Sequence, residues 1–536
     1  MIPKNFESLF KRFLTLQAAI VAAALAAGTA TAQTQPPPAP RFEIQRFVIE
    51  GNTLISQSDI NKLMSPFTGK NRDFGDVQRA LEALQDAYLQ RGFNAVRVSI
   101  PEQNIRAGQV RLQVLEAKIR RVRVQNNRFF DEKNVRASLP SLKEGAAPNT
   151  RAISADAQLV NENPAKQVSV GLEAADAPAR VDATVRVTDE NPSRVSAFVD
   201  NTGTPKTGNL RTGLGYQHAN VFNSDNVFNA QAITSPGHAS DVKIFGAGYR
   251  APVYRWGGML DAIAGYSSVN SGTVQDLFNV SGKGRVYGLR YTQLLGRIDT
   301  YEHRLALGWD YRAYRNNVTF TTDPNATQLV PDITVRPLAL AYMGRVSQVG
   351  RDLSFNTSFS RNMPGGNNGS QKDFDAQRVG APATYRIFRV GLAYSQQLPG
   401  DFLARAAVNA QRSPDLLIPG EQFGMGGQDS VRGYYERETA NDNGQRFSLE
   451  GYGPDFGARL GSAWRGRALI FTDMARGHDN SLERNPDSKL GSFGLGLRAN
   501  QGKNLAFRLD VARVTRDAGT RVSGDNRVHF ALAYSF

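Results

Sequence analysis

From Pro192 to its C-terminus, this 536-residue chain consists of short segments in which every second residue is apolar. The last segment shows the pattern clearly: Val528, Phe530, Leu532, Tyr534 and Phe536 alternate with polar or small residues. Successive side chains of a β-strand point to opposite faces, so this period of two predicts strands with one apolar face. We count sixteen such segments, separated by turns rich in Gly, Asn, Asp and Pro. They begin near residues 194, 210, 226, 242, 257, 281, 303, 335, 352, 386, 402, 445, 464, 489, 504 and 527.

The N-terminus indicates that the chain is exported, which bears on whether the apolar faces contact lipid. Three basic residues precede an apolar run over 13–28, and an Ala-x-Ala cleavage site ends at Ala32. This order predicts a secretory signal peptide over residues 1–32, followed by a short Pro-rich linker over 33–41. No later segment has 18 uninterrupted apolar residues, so an exported chain of this kind would cross a membrane only as a closed barrel.

Alternation alone fits either a soluble β-sandwich or a membrane barrel, because the apolar face lies inside the first and outside the second. Four observations favour the barrel: the export signal, the even strand number, Tyr and Phe at strand ends, and a last strand that runs to Phe536. We predict a membrane β-barrel of about 16 antiparallel strands over residues 191–536, in the outer membrane of a Gram-negative bacterium. The lumen is expected to be polar and mainly basic, lined by Arg389, Arg405, Asn409, Gln411 and Arg508.

Two small α+β units precede the barrel region. Residues 42–118 show the order β-α-α-β-β, and apolar residues at a spacing of 4, 3 and 4 from Val77 form one face of the second helix. Residues 119–190 repeat this order. The arginines at the start of the repeat, between Arg120 and Arg128, are interpreted as a solvated face rather than a binding patch.

The composition argues against several functional classes. The chain has no Cys and five scattered His, and it lacks metal-ligand spacing, a nucleophile elbow and a phosphate-binding glycine loop. We therefore expect neither enzyme activity nor a cofactor nor a metal. The formal net charge is +15, but the arginines alternate with apolar residues along the strands instead of forming one basic tail. We expect no nucleic-acid partner.

Together these features resemble the TpsB family, the outer-membrane transporters of two-partner (type V) secretion, which includes haemolysin secretion/activation proteins of the ShlB/FhaC/HecB type. The α+β units resemble POTRA domains, with VIEGNT in the first and VNENPAKQVSVGL in the second. SVRGY at 430–434 is similar to the motif of the loop between barrel strands 11 and 12, and FTD at 471–473 to the motif on strand 13. The resemblance covers nearly the whole mature chain.

The resemblance implies that two periplasmic POTRA domains capture an unfolded exoprotein and that the barrel secretes it across the outer membrane. The implied partners are a large TpsA-type exoprotein encoded nearby, outer-membrane lipid, and the barrel-assembly machinery and periplasmic chaperones during biogenesis. The alternative is an outer-membrane protein-assembly insertase of the same superfamily. Such relatives can carry an N-terminal helix that plugs the barrel, but the 33–41 linker is short and proline-rich, so we expect none here.

The resemblance also implies an inward loop around 424–440. Its motif comprises Val431, Arg432, Gly433 and Tyr434. Phe471 and Asp473 share one face of their predicted strand, and that face is expected to be lumenal because a carboxylate is costly in lipid. Arg432 would then pair with Asp473 in the lumen, and Gly433 would permit the tight tip. At the C-terminus, Tyr534 and Phe536 are expected to form an assembly signal.

Overall fold

The computed structural model describes residues 40–104, 108–205, 207–269, 272–274, 278–280, 283–315, 331–461, 463–481 and 487–536. The predicted signal peptide lies outside these residues. The linker, for which we expect no plug helix, also lies outside them except for residues 40 and 41.

The described residues include five α-helices, and two of them belong to each α+β unit. The helices are α1 (Gln57–Met64), α2 (Phe74–Gln90), α3 (Glu132–Ala137), α4 (Thr150–Val160) and α5 (Gln371–Gln377). Eight strands precede the barrel: β1 (Phe42–Ile44), β2 (Arg46–Glu50), β3 (Gly69–Arg72), β4 (Val96–Ser99), β5 (Gln109–Glu116), β6 (Lys118–Gln125), β7 (Lys166–Ala174) and β8 (Arg180–Asp189). Among these residues, no helix combines the length and apolar composition needed to cross a bilayer.

The first α+β unit contains one strand that the sequence pattern did not predict. The segment expected as a single strand is divided: β1 pairs with β3, and β2 pairs in parallel with β5 of the sheet β2-β5-β4. The strand β3 has the sequence GKNR, which carries no apolar side chain, so alternation could not indicate it. Ser56 caps α1 by accepting a hydrogen bond from the Asp59 backbone N–H.

The second unit repeats the first with a sheet in the order β6-β8-β7, in which β6 and β8 are parallel. The side chain of Asp131 caps α3. The arginine face of this unit is ion-paired: Arg120, Arg121 and Arg123 approach Asp182 at 2.7, 2.8 and 3.1 Å. These guanidinium groups remain between a third and a half exposed, in agreement with a solvated face.

The remainder of the chain forms a closed antiparallel barrel, which confirms the predicted fold class. Its strands are β9 (Ser193–Asp200), β10 (Arg211–Val221), β11 (Asn226–Thr234), β12 (Ile244–Val253), β13 (Gly258–Ser267), β16 (Gly284–Leu294), β17 (Tyr301–Tyr314), β19 (Pro337–Gln348), β20 (Arg351–Asn362), β21 (Arg386–Leu398), β22 (Phe402–Arg412), β25 (Asn443–Tyr452), β26 (Trp464–His478), β27 (Ser488–Gln501), β28 (Leu505–Val514) and β29 (Asn526–Ser535). A short β18 (Ile333–Val335) extends the pairing of β17 beyond β19. Two small hairpins, β14 (Gly272–Val274) with β15 (Phe278–Val280) and β23 (Phe423–Met425) with β24 (Thr439–Asn441), lie between barrel strands.

All sixteen predicted segments correspond to barrel strands. Each strand pairs with its neighbour in sequence, and β29 closes the barrel on β9. The apolar face points outward: Ile470 and Met474 are 63% and 54% exposed, whereas Asp473 between them is fully buried. Since the chain enters the barrel directly from the second α+β unit, the β10–β11 turn and every second turn after it lie at the end of the barrel where the chain enters.

Candidate functional site

The segment between β22 and β25 turns back into the barrel. The hairpin β23–β24 forms its stem, with Met425 opposite Thr439, and the motif forms its tip. Val431 and Tyr434 are fully buried. The Tyr434 hydroxyl donates to the Arg516 carbonyl at 2.6 Å and accepts from the Gly491 amide at 3.2 Å, which anchors the loop to the wall.

The structure brings Arg432 and Asp473 together at the tip of the loop. The Arg432 Nε lies 2.7 Å from Oδ2 of Asp473, and Nη2 lies 2.8 Å from Oδ1, so the pair is bidentate. The Arg432 backbone N–H adds a third bond to Oδ2 at 3.1 Å. The side chains are 3% and 0% exposed. Their burial removes solvent screening, so loss of either partner leaves an uncompensated charge.

Further groups surround the same guanidinium. Phe471, the other predicted partner, places its ring under Arg432 with the guanidinium carbon 3.5 Å from the ring centre. Glu450 accepts from Nη1 at 2.8 Å, and an oxygen of Asp510 lies 3.5 Å from the same nitrogen. Asp510 is shared, because Arg498 and Arg508 also approach it at 2.9 and 2.8 Å.

Sequence reasoning missed Glu450 as a member of this site and left Asp510 without a partner. Both residues lie on the polar face of an alternating strand, so their lumenal position was readable from the pattern. Their proximity to Arg432 could not be predicted, because the alternation pattern does not indicate which strands are adjacent to the loop.

The tip of the loop is also bound to the closing strand. Gly433 has φ +98°, in the region that favours glycine, and its N–H donates to Nε2 of His529 on β29 at 2.9 Å. Because Nε2 accepts this bond, the ring proton of a neutral His529 resides on Nδ1. The Gly433 carbonyl accepts from Nε of Arg521 at 3.1 Å. Sequence reasoning did not single out either side chain.

Two cavities of 850 and 570 Å³ lie within the barrel. Gln428, Asp429 and Ser430 line both of them, so this part of the loop borders both spaces. The polar side chains predicted for the lumen line these cavities: Arg389, Asn409 and Gln411 the larger, and Arg405, Asn409 and Arg508 the smaller. A sixteen-stranded barrel is wide enough for water, and here the loop occupies part of its interior.

The last residues of the chain lie on the outer face. Tyr534 and Phe536 are 46% and 64% exposed, and their ring centres are 5.6 Å apart. The Phe536 N–H donates to the Val195 carbonyl at 2.9 Å, which extends the pairing of β29 with β9. The structure thus places both residues on the lipid-facing surface at the barrel seam.

Relatives of known type share this architecture. The family model described as haemolysin secretion/activation protein ShlB/FhaC/HecB matches residues 181–499, more than half of the chain, and that of the ShlB-type POTRA domain matches residues 42–117. The outer membrane transporter CdiB of Escherichia coli is 23% identical over 417 residues, which cover 76% of this chain and 68% of the relative. The heme/hemopexin transporter protein HuxB of Haemophilus influenzae is 19% identical over 475 residues, covering 86% and 81%.

Solved structures show the same fold. CdiB from Escherichia coli superposes with a TM-score of 0.72 at 18% identity, covering 100% of this chain and 99% of that one. CdiB from Acinetobacter baumannii gives a TM-score of 0.66 at 16% identity over 100% of both chains. The chain therefore belongs to the haemolysin secretion/activation protein family ShlB/FhaC/HecB: it is an outer-membrane transporter of two-partner secretion, with its POTRA domains in the periplasm.

Proposed function

We propose that this transporter serves one large TpsA-type exoprotein, encoded by a neighbouring gene, and that its inward loop is the part that obstructs and regulates the conduit. The observation that carries the proposal is the buried bidentate pair of Arg432 and Asp473, which holds the loop between two lumenal cavities. A chain that crosses the lumen needs this space, so the loop must move or share the passage during transport.

Capture of the cargo follows from the sheets of the POTRA domains. In the order β2-β5-β4, the strands β2 and β4 form the two edges, and in β6-β8-β7 the edges are β6 and β7. An extended peptide can add to such an edge through backbone hydrogen bonds, which recognise an unfolded chain largely independently of its side chains. No nucleotide-binding motif is present in the sequence, so folding of the cargo at the cell surface would supply the direction of transport.

Deletion of the gene tests this function. Surface delivery of the neighbouring exoprotein should be lost, and a plasmid copy of the wild-type gene should restore it. Whole-cell immunoblotting of the exoprotein measures the result, while heat-modifiable migration of unrelated outer-membrane proteins serves as the control. Normal secretion combined with impaired assembly of those other barrels would instead support the insertase alternative.

The biogenesis of the barrel depends, in this proposal, on recognition of Tyr534 and Phe536 by the barrel-assembly machinery after chaperones deliver the chain across the periplasm. Phe536→Ser should lower the amount of folded transporter in the outer membrane. Phe493→Ser is the matched control, because Phe493 is another outward ring, 51% exposed, away from the C-terminus. Equal losses for both variants would show that only the apolar area matters.

A further inference from the structure

The VNENPAKQVSVGL segment of the second POTRA domain makes contacts that the transport mechanism above does not use. It joins α4 to β7 and packs against the β10–β11 turn of the barrel, on the periplasmic side. This turn runs from Phe222 to Asp225, and three of its residues have positive φ: Phe222 (57°), Asn223 (53°) and Asp225 (59°). Its shape is therefore unusual for L-residues, and surrounding contacts must hold it.

The centre of this contact is a buried ion pair. Nζ of Lys166 lies 2.7 Å from Oδ1 and 2.8 Å from Oδ2 of Asp225, and the two side chains are 0% and 1% exposed. Lysine is almost never fully buried unless it is paired. Burial lowers the pKa of Lys166, and the negative charge of Asp225 opposes that effect. Each of the two buried charges is therefore stabilised by the other, and the pair links the domain to the barrel.

Neutral groups complete the coordination of the pair. Asn134 of α3 donates to Asp225 at 3.0 Å and accepts from Lys166 at 2.7 Å. The Tyr254 hydroxyl, from the next periplasmic turn, also donates to Asp225. Asn163 donates to the Ala219 carbonyl of β10 at 2.7 Å. One polar cluster therefore joins the POTRA side chains to the β10–β11 turn, and the next periplasmic turn contributes Tyr254 to the same cluster.

A second contact lies apart from this cluster. Glu162 accepts two hydrogen bonds from Arg304 of β17, both at 3.1 Å, and Arg304 also lines the smaller lumenal cavity. Two separated attachments restrict rotation of the domain in a way that one attachment could not.

We propose that Lys166 and Asp225 are positioning residues that lock the second POTRA domain onto the first periplasmic turn of the barrel, so that domain and barrel entrance remain one rigid body during transport. This inference rests on the proposed function, in which rigid docking delivers captured cargo at a fixed place beside the lumen. The physical claim of rigid docking stands independently of the cargo.

Spin-label distances test the docking, and the absence of cysteine from the chain allows specific labelling. Labels at Ser169→Cys on β7 and Val349→Cys in the β19–β20 turn occupy exposed positions in the domain and the barrel. The full-length protein in nanodiscs should give a narrow distance distribution. Lys166→Met and Asp225→Asn should each widen it at least twofold, since each leaves one buried charge unpaired, and the double variant should narrow it again. Glu132→Gln, which removes an exposed ion pair with Arg136 in the same domain, is the control.

The outcomes separate the docking from the function. An unchanged narrow distribution in both single variants overturns the rigid docking. Lys166 lies outside the barrel, so Lys166→Met retains a decisive result even if Asp225→Asn fails to insert, as judged by heat-modifiable migration. Widened distances with undiminished secretion of the exoprotein would contradict the positioning role. A wild-type strain that secretes nothing would contradict the proposed function, while the distances would still decide the docking.

Discussion

Arg432→Ala is the change that most directly tests the site. The arginine makes three hydrogen bonds to Asp473 and one to Glu450, and its guanidinium covers the Phe471 ring. The substitution preserves the backbone bond to Asp473. Among the described residues, the fully buried carboxylate of Asp473 then keeps one side-chain donor, the Ser448 hydroxyl at 2.7 Å. The loop should therefore lose its preference for the lumenal position.

The size of the effect follows from the burial. Removing one partner of a buried ion pair costs about 3–5 kcal/mol, against about 0.2–1 kcal/mol for an exposed pair. At about 1.4 kcal/mol for each factor of ten, the balance between loop positions should shift roughly 100- to 4,000-fold. Arg432→Lys should produce an intermediate shift, because an ammonium group keeps the charge but cannot form the planar bidentate contact.

Planar-bilayer recordings and secretion assays measure the two consequences. We expect the purified Arg432→Ala barrel to remain folded, to open far more often than wild type, and to secrete much less exoprotein. Arg437→Ala is the matched control: this arginine lies in the same loop but donates to the Pro419 and Gln422 carbonyls. The double variant Arg432→Ala/Asp473→Ala should be less disturbed than the sum of the single variants. Wild-type conductance and export in Arg432→Ala would refute the reasoning.

The loop tip, the lumen and the arginine face of the second α+β unit each have a measurable consequence. Gly433→Ala places a Cβ 3.0 Å from Val514 at φ +98°, so it should cost about 1–2 kcal/mol and increase channel openings; Gly237→Ala, also at positive φ but in open space, should carry a similar backbone cost without increasing channel openings. Twelve arginines and six acidic side chains line the two cavities, so the open channel should prefer anions. The reversal potential in a KCl gradient measures this preference, and a value that indicates cation selectivity would contradict the prediction. Hydrogen bonds from Arg120 and its neighbours lower the pKa of Asp182 to about 2, so the carboxylate stabilises the second α+β unit above about pH 4 and loses this effect as pH falls through 2. Hydrogen exchange in β6–β8 should reveal that dependence, and Asp182→Asn should abolish it.

The sequence by itself determined the parts of the fold that depend on a local period. Alternation with a period of two assigns each strand residue to a face, and it located all sixteen barrel strands as well as the lumenal side of Asp473. The same reasoning could not indicate β3, because a short strand without apolar residues has no pattern to read.

Only the tertiary structure decided which polar groups meet. Arg432, Glu450, Asp510 and His529 come from one loop and three strands, and Lys166 meets Asp225 across 59 positions of sequence. A strand pattern fixes the face of each residue but leaves open the stagger between strands and the path of a loop through the lumen. Those contacts arise because a buried charge requires a partner at hydrogen-bonding distance, and closure of the barrel determines which side chains are within reach.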